Sequence, residues 1–193
     1  MARTKEFDTD NVVSKAIDVF WSKGFEATSI QDLVDAMGIN RGSIYATFGD
    51  KAGLFDVALQ RYQMDAPSQR LLEKAESGDP RAEIELFFSM LLKRDSDRSI
   101  QRGCLITNSI AELSARDEKL ATRFRAGVRH VEDAFYTLIK RGRETGDIAP
   151  WRDARPLARS LLATAQGMIV LSKVDPGQET LADIATTALS QLE

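Results

Sequence analysis

The segment from Thr28 to Lys51, TSIQDLVDAMGINRGSIYATFGDK, limits what this chain can fold into more than any other stretch. Ile30, Leu33, Val34 and Met37 recur at i, i+3, i+4 and i+7, the spacing that lines one face of a helix. Gly38 follows at once, and glycine accepts the positive φ that ends a helix in a sharp turn. Asn40 is a good N-cap residue, with Ile44 and Phe48 on one face of the third helix that opens behind it. Asp50 caps a fourth start, which carries Leu54, Phe55, Ala58, Leu59 and Tyr62. Upstream, Val13, Ile17 and Phe20, with Ala16 and Trp21, mark a first helix that starts near Asp8 or Asp10 and stops at Gly24.

Two short helices joined by a tight glycine turn and packed on a third form the pattern of a helix-turn-helix. Ile30, Leu33, Val34, Ile39, Ile44 and Phe48 can share one small core with Val13, Ile17, Phe20 and Leu54. Asn40, Arg41, Ser43 and Thr47 then face outward. In such a unit the later helix enters the DNA major groove while the earlier one crosses the backbone. Arg41 can donate two hydrogen bonds to a guanine edge, and Asn40 can pair with adenine or cap the helix instead. Gly42 lets the backbone approach closely. Thr28, Tyr45 and Lys51 are expected to reach phosphates, and the N-termini of the second and fourth helices offer N–H groups to the same anions. A helical bundle with merely solvated polar faces would show the same periodicity, so a structural protein that binds no DNA is the competing reading.

Helical signals run on to the C-terminus, and no stretch alternates as a strand does. The expectation is an all-α chain of about nine helices. A helix-turn-helix domain occupies residues 1–56, with helix four continuing to about 75 as a connector. A larger helical domain fills 57–193. Asp79-Pro80, Ser114, Asp153 and Asp175-Pro176 mark its helix starts, and GDIAPW interrupts it.

Composition narrows the function classes. With 193 residues, 43% of them hydrophobic, the chain can bury a real core. No run approaches the ~20 apolar residues of a membrane span, and the N-terminus lacks the apolar core of a secretory signal. One cysteine and one histidine exclude a disulfide framework and a multi-ligand zinc site. The reading is a soluble, cytoplasmic protein with no cofactor, no metal and no membrane partner. Neither a glycine-rich phosphate loop nor a G-x-S-x-G elbow appears, so an enzyme is not expected. Net charge is −3, and residues 1–64 hold seven Lys and Arg against nine Asp and Glu. Any DNA-binding surface must therefore be local, with modest affinity at physiological salt.

The string T-S-I-x-D-L-x-x-A-M-G-I-N-R-G-S-I-Y-x-x-F-G-D-K-x-x-L-F resembles the DNA-binding domain of the tetracycline-repressor (TetR) family, over roughly residues 8–56. The resemblance implies an all-α homodimer that binds a double-stranded DNA operator, usually as a repressor, and leaves it when a small-molecule inducer enters the C-terminal body. It also implies that the last two helices build a four-helix bundle with the partner. Many members carry histidine or another aromatic in the two positions after the tyrosine, where this chain has Ala46 and Thr47.

The last two helices read as apolar nearly all round. Leu157, Leu161, Ala165 and Met168 form one stripe, and Leu181, Ile184 and Ala188 another. They either complete an internal core or meet a second copy, and the dimer is the expectation. Candidates to line an effector pocket are Phe87, Leu91, Cys104, Asn108, Phe124, Val131, Phe135 and Met168, each of which can equally be plain core. Cys104, Asn108 and Glu112 lie along one helical face. The pattern G-C-L-x-x-N-x-x-x-E resembles a subgroup that includes repressors whose matching cysteine senses electrophiles and oxidants. Cys104 is therefore either a small buried hydrophobe or a redox switch.

Overall fold

A side chain standing just ahead of each helix starts the first four. The computed structural model describes residues 7–93, 102–174 and 177–193. Helix α1 (Thr9–Lys23) begins where Asp8 accepts the N–H groups of Asp10 and Asn11 at 3.0 and 3.4 Å. Helix α2 (Ile30–Met37) opens with a reciprocal box. Ser29 Oγ accepts the Asp32 N–H at 3.1 Å, while Asp32 Oδ2 accepts the Ser29 N–H at 2.9 Å. Gly38 ends α2 in the left-handed region at φ 71°. Helix α3 (Arg41–Phe48) starts on Asn40, and α4 (Lys51–Met64) starts on Asp50, which takes the Gly53 N–H at 2.7 Å.

Among the described residues the chain is helical throughout, with ten α-helices and a closing 3-10 turn over Ser190–Leu192. The expected number was about nine. The fourth helix does not continue to 75: α4 stops at Met64 and a separate α5 (Pro67–Lys74) follows. Proline lacks an N–H and its ring clashes with the preceding turn, so Pro67 ends one helix and opens the next. The chain divides into two compact units between Asp65 and Ala66.

The first unit is a small helical core. Val13, Ala16, Phe20, Leu33, Met37, Ile44, Leu54, Phe55 and Ala58 are all buried. Side chains of this size contribute roughly 1.5–3 kcal/mol each when fully buried, alanine less. The rings of Phe20 and Phe25 both pack on Phe55, with centroids 4.9 and 4.8 Å away.

The second unit holds α6 (Pro80–Lys93), α7 (Leu105–Leu113), α8 (Glu118–Thr145), α9 (Ala154–Leu171) and α10 (Gln178–Leu189), with α5 against them. Asp79 and Asp153 cap α6 and α9 as expected. The long helix begins at Glu118 rather than straight after Ser114, because Asp117 accepts the Leu120 N–H at 2.9 Å. The start expected at Asp175-Pro176 lies outside the described residues. A Cβ at Gly142 would stand 2.6 Å from Ile148 Cδ1, so glycine lets the turn after α8 fold back onto it. Arg155 joins α9 to α8: its guanidinium bonds Glu132 at 3.0 Å and Asp133 at 2.6 Å and lies over the Tyr136 ring. No helix among the described residues is long and apolar enough to cross a membrane.

Candidate DNA-binding site

Helix α3 is held by one fully buried side chain, Ile44, with Phe48 half-buried four residues on. At 3.6 residues per turn, Arg41, Gly42, Tyr45 and Ala46 fall within an arc of about 140° on the other side. All four are exposed, Tyr45 to 45%. Ser43, next to that arc, is half-buried, and Thr47 is exposed but lies on the opposite side of the helix, about 100° beyond Ala46. Ala46 was singled out in the sequence only as a departure from a family pattern. Its spacing of four from Gly42 was the signal that it shares the outer face.

Three expected contacts have other partners. Asn40 Oδ1 accepts the Ser43 N–H at 2.8 Å, so the capping alternative holds and that oxygen is engaged within the chain. Thr28 is only 2% exposed and its hydroxyl donates to the Gly24 carbonyl at 2.5 Å, which removes the side chain from a phosphate-facing position. Lys51 Nζ donates to the carbonyls of Phe25 and Thr28, each at 2.9 Å, and sits 4.4 Å from the centroid of the Phe25 ring. Both bonds have one physical reason. The carbonyls of the α1–α2 link need donors, and Thr28 and Lys51 are the donors within reach.

The helix N-termini are also less open than expected. The first-turn N–H of α2 is taken by Ser29, and the Asp32 carboxylate beside it bonds Lys23 at 2.5 Å. That bond, with those from Ser29, lowers the Asp32 pKa from 3.8 to about 2. A fixed negative charge stands where an anion was expected to dock. At α4, the Gly53 N–H is bonded to Asp50.

In the second unit, the expected pocket residues divide. Phe87, Phe135 and Met168 belong to the main apolar cluster, with Leu91 and Val131 packed against it. Phe87 meets Phe135 edge-on at 5.2 Å. Phe124 is buried, at 7% exposure. Cys104 is half-buried at the N-cap of α7. Asn108 is bonded on both sides of its amide, donating to the Arg102 carbonyl at 2.8 Å and accepting from Lys173 Nζ at 3.0 Å.

The residues expected to meet a partner are covered within one chain. Leu157, Leu161, Ala165, Met168, Leu181 and Ala188 are buried within the chain's own cluster, and Ile184 packs against it. Helix α9 packs on α6, α8 and α10, and these absorb the stripe. The outward side of α9 is different: Ala163, Gly167, Val170 and Leu171 are exposed, continuing to Val174. Helix α10 is not apolar all round, since Gln178, Glu179, Thr180, Asp183, Thr186 and Thr187 are exposed.

Known proteins share both units. Residues 12–58 match the family model for bacterial regulatory proteins of the tetR family, and residues 80–189 match the tetracyclin repressor-like C-terminal domain. An uncharacterized HTH-type transcriptional regulator of Bacillus subtilis, YezE, is 33% identical over 195 residues, covering all of both chains. The HTH-type transcriptional repressor ComR of Escherichia coli is 29% identical over 188 residues, 97% of this chain and 90% of that protein. Among solved structures, a cysteine mutant of the TetR family regulator CifR, complexed with 26-base-pair operator DNA, superposes with a TM-score of 0.83. It is 30% identical and covers 99% of this chain and 100% of its own. With both units matched and a full-length relative at this identity, the chain belongs to the TetR family of DNA-binding transcriptional regulators.

Proposed function

We propose that the protein is a homodimeric repressor that reads a two-fold operator with α3 and leaves it when a small organic effector binds the second unit. The observation that carries this is the outer face of α3, where Arg41, Gly42, Tyr45 and Ala46 lie exposed together while Ile44 is wholly buried. Arg41 supplies the bidentate donor for a guanine edge, and Gly42 and Ala46 let the helix backbone sit close to the bases. Tyr45 on that face and Ser43 at its edge contact the phosphates. Residues through Asp65 form the DNA-binding part, and those from Ala66 onward form the effector and dimerisation part.

The dimer uses the outward side of α9. A Cβ at Gly167 would meet no atom within 4 Å, and Ala163, Val170, Leu171 and Val174 extend an apolar strip along the same region. A second copy related by two-fold symmetry covers that strip, and two α3 helices about 34–36 Å apart then reach successive turns of one DNA face. Repression is supported by ComR, named a transcriptional repressor, and by the operator complex of CifR.

The test is selection of duplexes from a random-sequence pool by the purified wild-type protein. Enrichment of a two-fold symmetric sequence supports the proposal, and a pool that stays random at low salt refutes it.

A second reading makes Cys104 the switch. It is favoured by the position of the thiol, half-buried rather than sealed, at the N-cap of α7. If this reading holds, a mild thiol oxidant releases the wild-type protein from its operator and leaves Cys104→Ser bound; release of both removes it.

A further inference from the structure

The segment that holds α2 and α3 is tied end to end. Lys51, the first residue of α4, donates from Nζ to the carbonyl of Thr28, one residue ahead of the α2 cap, and to that of Phe25. Its ammonium also sits 4.4 Å from the centroid of the Phe25 ring, which packs on Phe55 inside the core. Thr28 is closed onto the same link through its hydroxyl bond to Gly24. A charged donor given to two carbonyls makes stronger bonds than a neutral one, so this junction is stiff.

A second feature of the same turn acts on α3 directly. A Cβ at Gly53 would stand 2.0 Å from the carbonyl oxygen of Phe48, the last residue of α3. The clash would be with backbone, which a rotamer change cannot relieve. Gly53 therefore sets how closely the end of α3 lies against α4. With only Ile44 fully buried, α3 has little core of its own to fix its angle.

From these contacts we infer that Lys51 and Gly53 are positioning residues for the recognition helix: the first turn of α4 sets the pose of α3, and Lys51 does so as a donor to protein carbonyls rather than as a phosphate ligand. The inference rests on the DNA-binding reading, and the two fail differently. If the wild-type protein enriches no sequence, the reading is lost; the variants below test only the positioning.

The experiment measures affinity of the full-length protein for the selected operator duplex and for a random duplex, each across a salt series, with thermal midpoints recorded alongside. Lys51→Met is expected to weaken operator binding by at least about tenfold, on the scale of one misplaced base contact. The random duplex is bound as before, and the slope of log affinity against log salt is unchanged. Loss of a phosphate contact would instead flatten that slope by about 0.9 and weaken both duplexes alike.

Lys51→Gln keeps an amide donor and is expected to recover part of the operator affinity. Gly53→Ala leaves every charge in place and favours the helix, yet is expected to show the same selective loss. It decides the matter if Lys51→Met does not fold. A flattened slope with equal loss on both duplexes would overturn the inference, as would operator binding indifferent to Lys51→Met or, in its place, to Gly53→Ala.

Discussion

Asn40 Oδ1 accepts the backbone N–H of Ser43 at 2.8 Å, so the residue ahead of α3 is the one that starts it. Replacing Asn40 by alanine removes the cap and is expected to cost about 1 kcal/mol of stability in denaturant titration. Asn40→Asp keeps the acceptor and leaves stability nearly unchanged. It places a negative charge at the DNA-facing end of α3, so operator affinity falls while the fold holds. Stability and affinity measured side by side separate the two roles.

Arg41 is exposed at the first position of α3 and anchors no core. Arg41→Ala is expected to leave the thermal midpoint within experimental scatter and to cost about 1–3 kcal/mol in operator binding. The loss should be concentrated at one base pair of each half-site. Competition with singly substituted operators reads this directly.

Gly167 faces outward from α9 with open space where a side chain would go. Gly167→Arg is therefore accommodated within one chain but not against a second copy. Sedimentation should show a folded monomer with an unchanged helical signal, and operator binding should be lost with it. A dimer that persists would move the interface elsewhere.

Asp32 titrates well below the usual carboxylate range, at about 2, chiefly through its bond to Lys23 and then through those from Ser29. A lowered folded-state pKa contributes stability that is present above the ordinary 3.8 and is lost as pH falls towards 2. Asp32→Asn should thus melt earlier than the wild type at neutral pH. The gap should narrow below about pH 4 and close near 2. Thermal melts at stepped pH check the sign.

Much of the first unit was legible because its signals are local. Asp8, Asn40 and Asp50 cap where a cap residue precedes an apolar period, and Gly24 and Gly38 stop their helices. The buried side of α3 at Ile44 followed from the same periodicity, but of the outward set only Arg41 lies on the face with Gly42, Tyr45 and Ala46. The intrachain bonds of Thr28 and Lys51 were not legible because their partners are backbone carbonyls; the Lys51 bond to Phe25 spans 26 residues. Spacing does not reveal such a bond. The stripe from Leu157 to Met168 is a buried face covered by the chain's own helices. An apolar period says that something packs on a helix, and only the placement of α6 and α8 shows that it is the chain itself. The outward strip mixes Ala163 and Gly167 with Val170, Leu171 and Val174, so it gives no clean apolar period of its own.

Two copies that read one two-fold operator, as proposed, must hold their α3 helices at a fixed separation. The most direct measurement is the stoichiometry and affinity of binding to the selected duplex and to the same duplex with half a helical turn, about 5 base pairs, inserted between its half-sites. Two chains, or a whole multiple of two, are expected on the intact duplex. Affinity is expected to fall to that for random duplex after the insertion, because one half-site then faces away. A single chain per duplex, or affinity indifferent to the insertion, would contradict it.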